Sequence, residues 1–179
     1  MVALVLLSAS ILVVVLALQN RDLRANQQIL IDRIRYPYVG LTIPPASAIA
    51  LNGDTVVIGT LGAARQQLLF FFTVSCEFCL RSLPAWNALA DTLAAGNLNA
   101  LVYGVSLSSE DSTRAFVRAH PLRFPVVRFV DARMRALYRA RAVPVAVVVS
   151  PLGIYSFTSL GALVTAAVKD SVFRAARMH

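Results

Sequence analysis

Cys76 and Cys79 are the only two cysteines of this 179-residue chain, and Glu77 and Phe78 lie between them. Thiols at this spacing can exchange electrons with a disulfide, since a thiolate on one attacks a sulfur and the other displaces the product. The segment Gln67–Val74, containing LLFFFTV, runs directly into the pair, and behind it Leu80, Leu83, Trp86, Leu89 and Leu93 recur at spacings of three and four. The first pattern reads as a buried strand and the second as a helix of about four turns starting at Glu77. The pair therefore sits where a strand turns into a helix, and there unpaired N–H groups and the helix dipole favour a thiolate. Cys76 is the expected nucleophile and Cys79, one turn further in, the expected resolving thiol.

Three structural uses of the same residues stand beside this one. A disulfide across two residues closes a very small loop and contributes only about 2 kcal/mol by loop entropy. A zinc site needs four ligands, and beyond the cysteines the chain offers only His120 and His179; neither a metal nor a cofactor is expected. Two unrelated buried thiols are the third use, against which the strand-helix placement counts. Near the pair, Glu77 disfavours a thiolate by its charge, whereas Arg81 supports one only if its side chain folds back toward Cys76.

The elements that must hold the pair follow from the rest of the chain. Ala48–Leu51 and Thr55–Ile58 flank Asn52-Gly53-Asp54, a hairpin signal. Ala100–Leu107 is strand-like, and Ser108-Ser109-Glu110-Asp111 supplies cap residues for a helix through Ala119, closed by Pro121. Arg133–Ala140 reads as a short helix. Val145–Val149 is a β-branched strand joined by the turn Ser150-Pro151-Leu152-Gly153 to a partner, Ile154–Thr158. Leu163–Ala176 reads as a closing helix and Gly96 as a helix terminator. The predicted order is hairpin, strand, helix, strand, helix, strand, strand, helix: an α/β fold with one βαβ crossover and then an antiparallel hairpin on the same sheet.

Apolar residues make up 58% of the chain, above the usual share of about 45–50%. Much of the excess is Val2–Leu18, seventeen residues without a charge, at the short end of what crosses a bilayer. No basic residue precedes this run, so a retained anchor is expected rather than a cleaved signal peptide. The expected organisation is a transmembrane anchor at 1–20, a polar helical stalk at 21–38 ended by Pro37, and one α/β domain at 39–179. Net charge is +8, with sixteen of the seventeen cations being Arg. They are scattered, densest from Arg114 to Arg141, and not interleaved with aromatic residues. That reads as a solvated basic face, an acidic partner or anionic headgroups being its other uses, and nucleic acid is not expected.

The segment LLFFFTVSCEFCLRSLPAW, Leu68–Trp86, resembles the active-site strand and helix of thioredoxin-like proteins, in particular the membrane-anchored TlpA/ResA group and the methylamine dehydrogenase accessory proteins of MauD type. Pro84 stands where thioredoxins carry a helix-kinking proline, Val143-Pro144 where they carry a cis-proline, and Gly153 at the hairpin glycine. The resemblance runs from about Val39 to the C-terminus. It implies a central mixed sheet flanked by helices and a thiol-disulfide oxidoreductase that uses Cys76 and Cys79. Glu77, Phe78, Val143 and Pro144 would bind substrate or tune the thiols, Val143 pairing its backbone with an extended client; a trans Pro144 that merely starts an edge strand is the alternative.

The implied partners are client proteins with cysteines or disulfides, a membrane or extracytoplasmic electron donor and the lipid bilayer. The clients would be a cysteine-rich enzyme or a cytochrome under maturation. The implied location is the outer, periplasmic face of a bacterial cytoplasmic membrane, although Arg21, Arg24, Arg33 and Arg35 argue against that orientation by the positive-inside rule.

The departures matter as much. Ser75 replaces the tryptophan before the first cysteine, Phe70 the buried strand aspartate, and Ser82 the carboxylate many TlpA/ResA-type proteins carry six residues after it. The usual proton acceptor for Cys79 is thus missing. Two other functions remain. One is a peroxiredoxin-like peroxide reductase, since Thr73 stands three residues before Cys76 as in Pro-x-x-x-Thr-x-x-Cys, although Leu69 occupies the proline's place. The other is a non-catalytic, membrane-anchored assembly module that keeps the fold.

Overall fold

The computed structural model describes residues 1–59, 65–95 and 100–162, together with 170 and 174, in two compact units, Met1–Arg35 and Tyr36–His179. The first is a single helix, α1 (Val2–Arg35), which runs without a break through the apolar run and the polar segment behind it. Pro37 follows its end, as expected of a residue that cannot donate to the preceding turn. The described apolar side chains from Leu6 to Leu18 are exposed. Among the described residues no helix is long and apolar enough to cross a membrane.

The second unit is built on a seven-stranded sheet. Its elements are β1 (Ala46–Ala50), β2 (Thr55–Ile58), β3 (Gln66–Phe72), α2 (Glu77–Ala95), β4 (Ala100–Ser106), α3 (Glu110–Ala119), β5 (Val126–Phe129), α4 (Met134–Leu137), β6 (Val145–Val149) and β7 (Tyr155–Leu160). The strands lie in the order β2-β1-β5-β4-β3-β6-β7. β3 is central, parallel to β4 and antiparallel to β6, and every residue in it is buried. The Asn52-Gly53 hairpin joins β1 to β2, and the Ser150–Gly153 turn joins β6 to β7.

The structure shortens the predicted Arg133–Ala140 helix to α4, because the chain reverses at Arg139 (φ 53°), and adds one strand. β5 was not foreseen: Val126–Phe129 pairs parallel with β4 and antiparallel with β1, so there are two βαβ crossovers rather than one. Four residues interrupted by Arg128 and preceded by Pro125 carry too little pattern to stand out. They become a strand because β4 and β1 offer hydrogen-bonding edges on both sides. Asp170 and Arg174 are helical, and the rest of the predicted closing helix, like the Gly96 terminator, lies outside the described residues.

Alternation along the central strands separates two cores. Leu68, Phe70 and Phe72 face α2 and α3, where they pack with Leu83, Trp86, Leu89, Leu93 and Phe116. Leu69 and Phe71 face the opposite way, joining Ile43, Ile58, Val105, Val127, Tyr138, Val147 and Tyr155. On the first face Phe70 stacks on Trp86 with ring centroids 4.8 Å apart. On the second, the fully buried Tyr138 hydroxyl shares its proton between the carbonyls of Pro44 and Ile58, at 2.8 and 3.0 Å. The Gln67 side chain accepts from the Gly59 N–H at 2.8 Å and donates to the Val57 carbonyl at 3.0 Å, tying the hairpin's end to the central strand. Gly59 (φ 72°) has no room for a Cβ, which would lie 2.6 Å from the Tyr138 hydroxyl.

These ties make Tyr138 the point where the hairpin, the Pro44 loop and α4 meet. Tyr138→Phe keeps the ring and strands the two carbonyls, so it is expected to lower unfolding stability by about 1–2 kcal/mol with an unchanged denaturant slope. An unchanged midpoint in a urea titration would refute this.

Candidate active site at the strand-helix junction

The local hydrogen bonds make Cys76 the cap residue of α2. Its carbonyl accepts from the Leu80 N–H at 3.1 Å, the first bond of the helix, and its own N–H closes a turn onto the Thr73 carbonyl at 3.3 Å. The Cys79 N–H then points at the Cys76 sulfur, 3.2 Å away. A sulfur thus accepts the bond that a serine or aspartate oxygen accepts at an ordinary helix start. That donor stabilises negative charge on Sγ, and the dipole of a 19-residue helix acts in the same direction. Neither cysteine is in a disulfide; Cys76 is half-buried and Cys79 has no exposed surface.

The opposite wall comes from β6. Its antiparallel register sets Phe71 against Val145, so the residues just before β6 lie against those just after β3. Val143 and Pro144 therefore reach the cysteines, joined by a cis peptide bond, and the Val143 carbonyl oxygen lies 3.7 Å from Cys76 Sγ. The Gly161 N–H donates to the Pro144 carbonyl at 2.9 Å. The alternative of a trans proline opening an edge strand is excluded, because β6 lies between β3 and β7.

A third wall was not foreseen from sequence as part of the site. The loop after β4 is pinned to the end of β3 by the Leu107 N–H donating to the Phe72 carbonyl at 2.9 Å and the Val74 N–H donating to Ser108 Oγ at 3.1 Å. Beneath it the Thr113 hydroxyl donates to the Ser109 carbonyl at 2.7 Å, which leaves the buried Ser106 hydroxyl to donate to Thr113 Oγ1, also at 2.7 Å. Ser109 caps α3 by accepting from the Ser112 N–H. The serines read as cap residues thus also fasten the site, through pairings across the fold that no local pattern reveals.

Glu77 and Arg81 form an exposed ion pair at 2.9 Å, and the guanidinium lies 4.8 Å from the centre of the Phe78 ring. Arg81 is accordingly turned to Glu77 rather than folded onto Cys76, and a pair this exposed contributes little to stability. Phe78 is 54% exposed and adds apolar surface next to the reactive sulfur.

Cys79 lives in a different environment. Burial, followed by the hydrogen bond its thiol makes to Cys76, pushes its pKa up to about 12, against a smaller opposing effect of the Thr73 backbone. No Asp, Glu, Lys or Arg is buried among the described residues. Phe70 fills the strand position with an aromatic ring, and Ser82 turns its hydroxyl to the Phe78 carbonyl at 2.9 Å. The two thiols are thus differentiated by position: one reachable and held at a helix start, the other sealed and kept protonated.

Comparison with known proteins agrees with this architecture. Solved structures similar to the chain include the thioredoxin domain of a thiol-disulfide oxidoreductase from Bacteroides vulgatus (18% identity, TM-score 0.63, covering 78% of this chain and 98% of that one). StoA from Bacillus subtilis is another (20% identity, TM-score 0.56, 74% and 93%). A thiol:disulfide interchange protein from Bacteroides sp. is a third (18% identity, TM-score 0.63, 77% and 90%). At these identities the likeness is one of fold, which is thioredoxin-like. No protein of curated function matches the sequence. The AhpC/TSA family pattern matches residues 39–156, which include both cysteines and Val143-Pro144; the chain belongs to the AhpC/TSA family, a redox-active family of thioredoxin-like fold.

Proposed function

We propose that the protein is a thiol-disulfide oxidoreductase acting on disulfides of client proteins, with Cys76 as nucleophile and Cys79 as resolving thiol. The observation that carries this reading is the reachable Cys76 sulfur held 3.2 Å from the Cys79 N–H and 3.7 Å from the Val143 carbonyl. The Cys76 thiolate attacks one sulfur of the client disulfide; a mixed disulfide forms and the other client sulfur leaves as a thiolate. Cys79 then loses its proton and attacks Cys76 Sγ, breaking the mixed disulfide. The client departs with two thiols and the protein keeps a Cys76–Cys79 disulfide, so two electrons have moved; run backwards, the steps oxidise a client. Phe78 and the Val143-Pro144 backbone form the surface on which an extended client strand lies.

Cellular placement belongs to the same proposal. The apolar stretch of α1 anchors the chain, residues 21–38 act as a stalk, and the domain works on the outer face of a bacterial cytoplasmic membrane, maturing a cysteine-rich enzyme or a cytochrome with electrons from a membrane or extracytoplasmic donor. The uncharged run from Val2 to Leu18, with exposed apolar side chains, supports an anchor. A membrane-impermeant thiol reagent on intact cells is expected to label Cys76; protection until the membrane is opened would put the domain inside.

In its native membrane, Cys79→Ser is expected to accumulate mixed disulfides through Cys76, visible as adducts that a reductant removes. Their complete absence would favour the non-catalytic assembly module. Family membership and Thr73, three residues before Cys76, give a second reading, peroxide reduction. Peroxide consumption that survives Cys79→Ser would favour it.

The sealed Cys79 sets the pH dependence of the second step. Its pKa is raised, so the attacking thiolate is scarce at neutral pH and its fraction grows about tenfold per pH unit below that pKa. With a chromophoric thiol placed on Cys76 as a mixed disulfide, the release rate is expected to climb from pH 7 to 10. A plateau near the ordinary cysteine value of about 8.5 would show that Cys79 is not suppressed.

A further inference from the structure

Four arginines fall between positions 133 and 141, immediately before Val143-Pro144. From 131 to 143 the only acid is Asp131, and Arg133 holds it at 2.9 Å. The end of α4 arranges the others. The Ala140 N–H donates to the Arg135 carbonyl at 2.9 Å and the Arg139 N–H to the Ala136 carbonyl at 3.1 Å, with Arg139 at φ 53°. This is the paired closure that usually employs glycine at the left-handed position. Arg135 Nε adds a bond to the Ala140 carbonyl at 3.3 Å.

The reversal brings Arg135 and Arg141 to a notch of about 300 Å³ whose other lining residues are Ala132 and Ala136. Arg139 is directed elsewhere, its guanidinium 5.5 Å from the centre of the Tyr38 ring. Among the described residues Arg141 has no acidic partner, and the terminal nitrogens of Arg135 are not engaged.

Two unneutralised guanidiniums around small side chains suit a carboxylate, which they can bind through paired N–H donors. The location ties this charge to the chemistry. Only Ala142 separates Arg141 from Val143, a span of at most about 7 Å, and the Val143 carbonyl touches Cys76. We propose that the notch docks an aspartate or glutamate of the client next to its disulfide, so that clients are chosen by negative charge near the reacting cysteine. A lipid headgroup offers similar chemistry but would cover the surface across which a client must reach Cys76. The inference rests on the oxidoreductase reading and adds which clients are taken.

The test uses the reduced full chain and three disulfide peptides that differ only in flanking Glu, Gln or Lys. The second-order rate is expected in the order Glu, Gln, Lys. The Glu peptide should exceed the Gln peptide by about fivefold, the size of a strong exposed ion pair, shrinking in about 0.5 M salt. Arg141→Gln should abolish that advantage while leaving the Gln peptide unchanged, and Arg141→Glu should reverse the order. Arg141 is exposed, so these variants keep the fold; Arg135→Lys, which retains charge but loses the paired donors, should weaken only the Glu peptide. The inference is overturned if wild type shows no charge order, if Arg141→Glu leaves the order intact, or if all three peptides slow equally. It is overturned too if Arg141→Glu removes binding to phosphatidylglycerol vesicles while the peptide order stays. The neutral bis(2-hydroxyethyl) disulfide separates the two readings: if it is inert, the oxidoreductase reading fails, whereas if it reacts and no charge order appears, only the docking inference falls.

Discussion

The 3.2 Å contact between the Cys79 N–H and the Cys76 sulfur is the interaction on which the site depends. A helix start leaves N–H groups without intrahelical partners, and some acceptor must meet them. Here the acceptor is the sulfur, so the bond that caps the start of α2 is also the one that meets the nucleophile. Folding and reactivity share one hydrogen bond. The rest of the domain serves to bring this helix start to the carboxyl end of β3 and to close walls around it.

That requirement explains the sheet. β3 is buried on both faces, so its last residues are held by neighbours on either side. On one side the parallel strand β4 delivers the Ser108 loop, and on the other the antiparallel strand β6 delivers Val143. The two faces carry separate cores. One positions α2 through Phe70 and Trp86; the other holds the hairpin and α4 through Tyr138.

Loss of the usual acids follows from the same packing. A carboxylate on β3 would lie in the core where Phe70 stacks on Trp86, and burying its charge unpaired would be costly. The protein has an apolar core there instead, and Cys79 consequently keeps its proton. The cysteine pair is therefore asymmetric, with a first step favoured by the helix start and a second restrained by burial. Next to it the exposed Phe78 gives the surface an apolar part, and the arginines of the α4 reversal come directly before Val143 in the chain.

Much of this was legible in the sequence. The cysteine spacing, the apolar run ahead of it and the three-and-four periodicity behind it placed the pair at a strand-helix junction, because each is a local pattern that follows from backbone geometry. Asn52-Gly53 and the Ser150–Gly153 turn announced their hairpins for the same reason. Strand β5 was not legible: four residues interrupted by an arginine become a strand only when two other strands flank them. Nor did sequence reveal that Ser106, Ser108 and Thr113 fasten the site, or that Arg135 and Arg141 share a notch, since these are pairings between segments or products of a chain reversal. The sequence by itself determined which residues can react and which element starts behind them. Only the tertiary structure decided that Cys79 is sealed, that Arg81 faces Glu77 rather than the sulfur and that Val143 meets Cys76, because burial, ion pairing and strand register depend on neighbours distant in the chain.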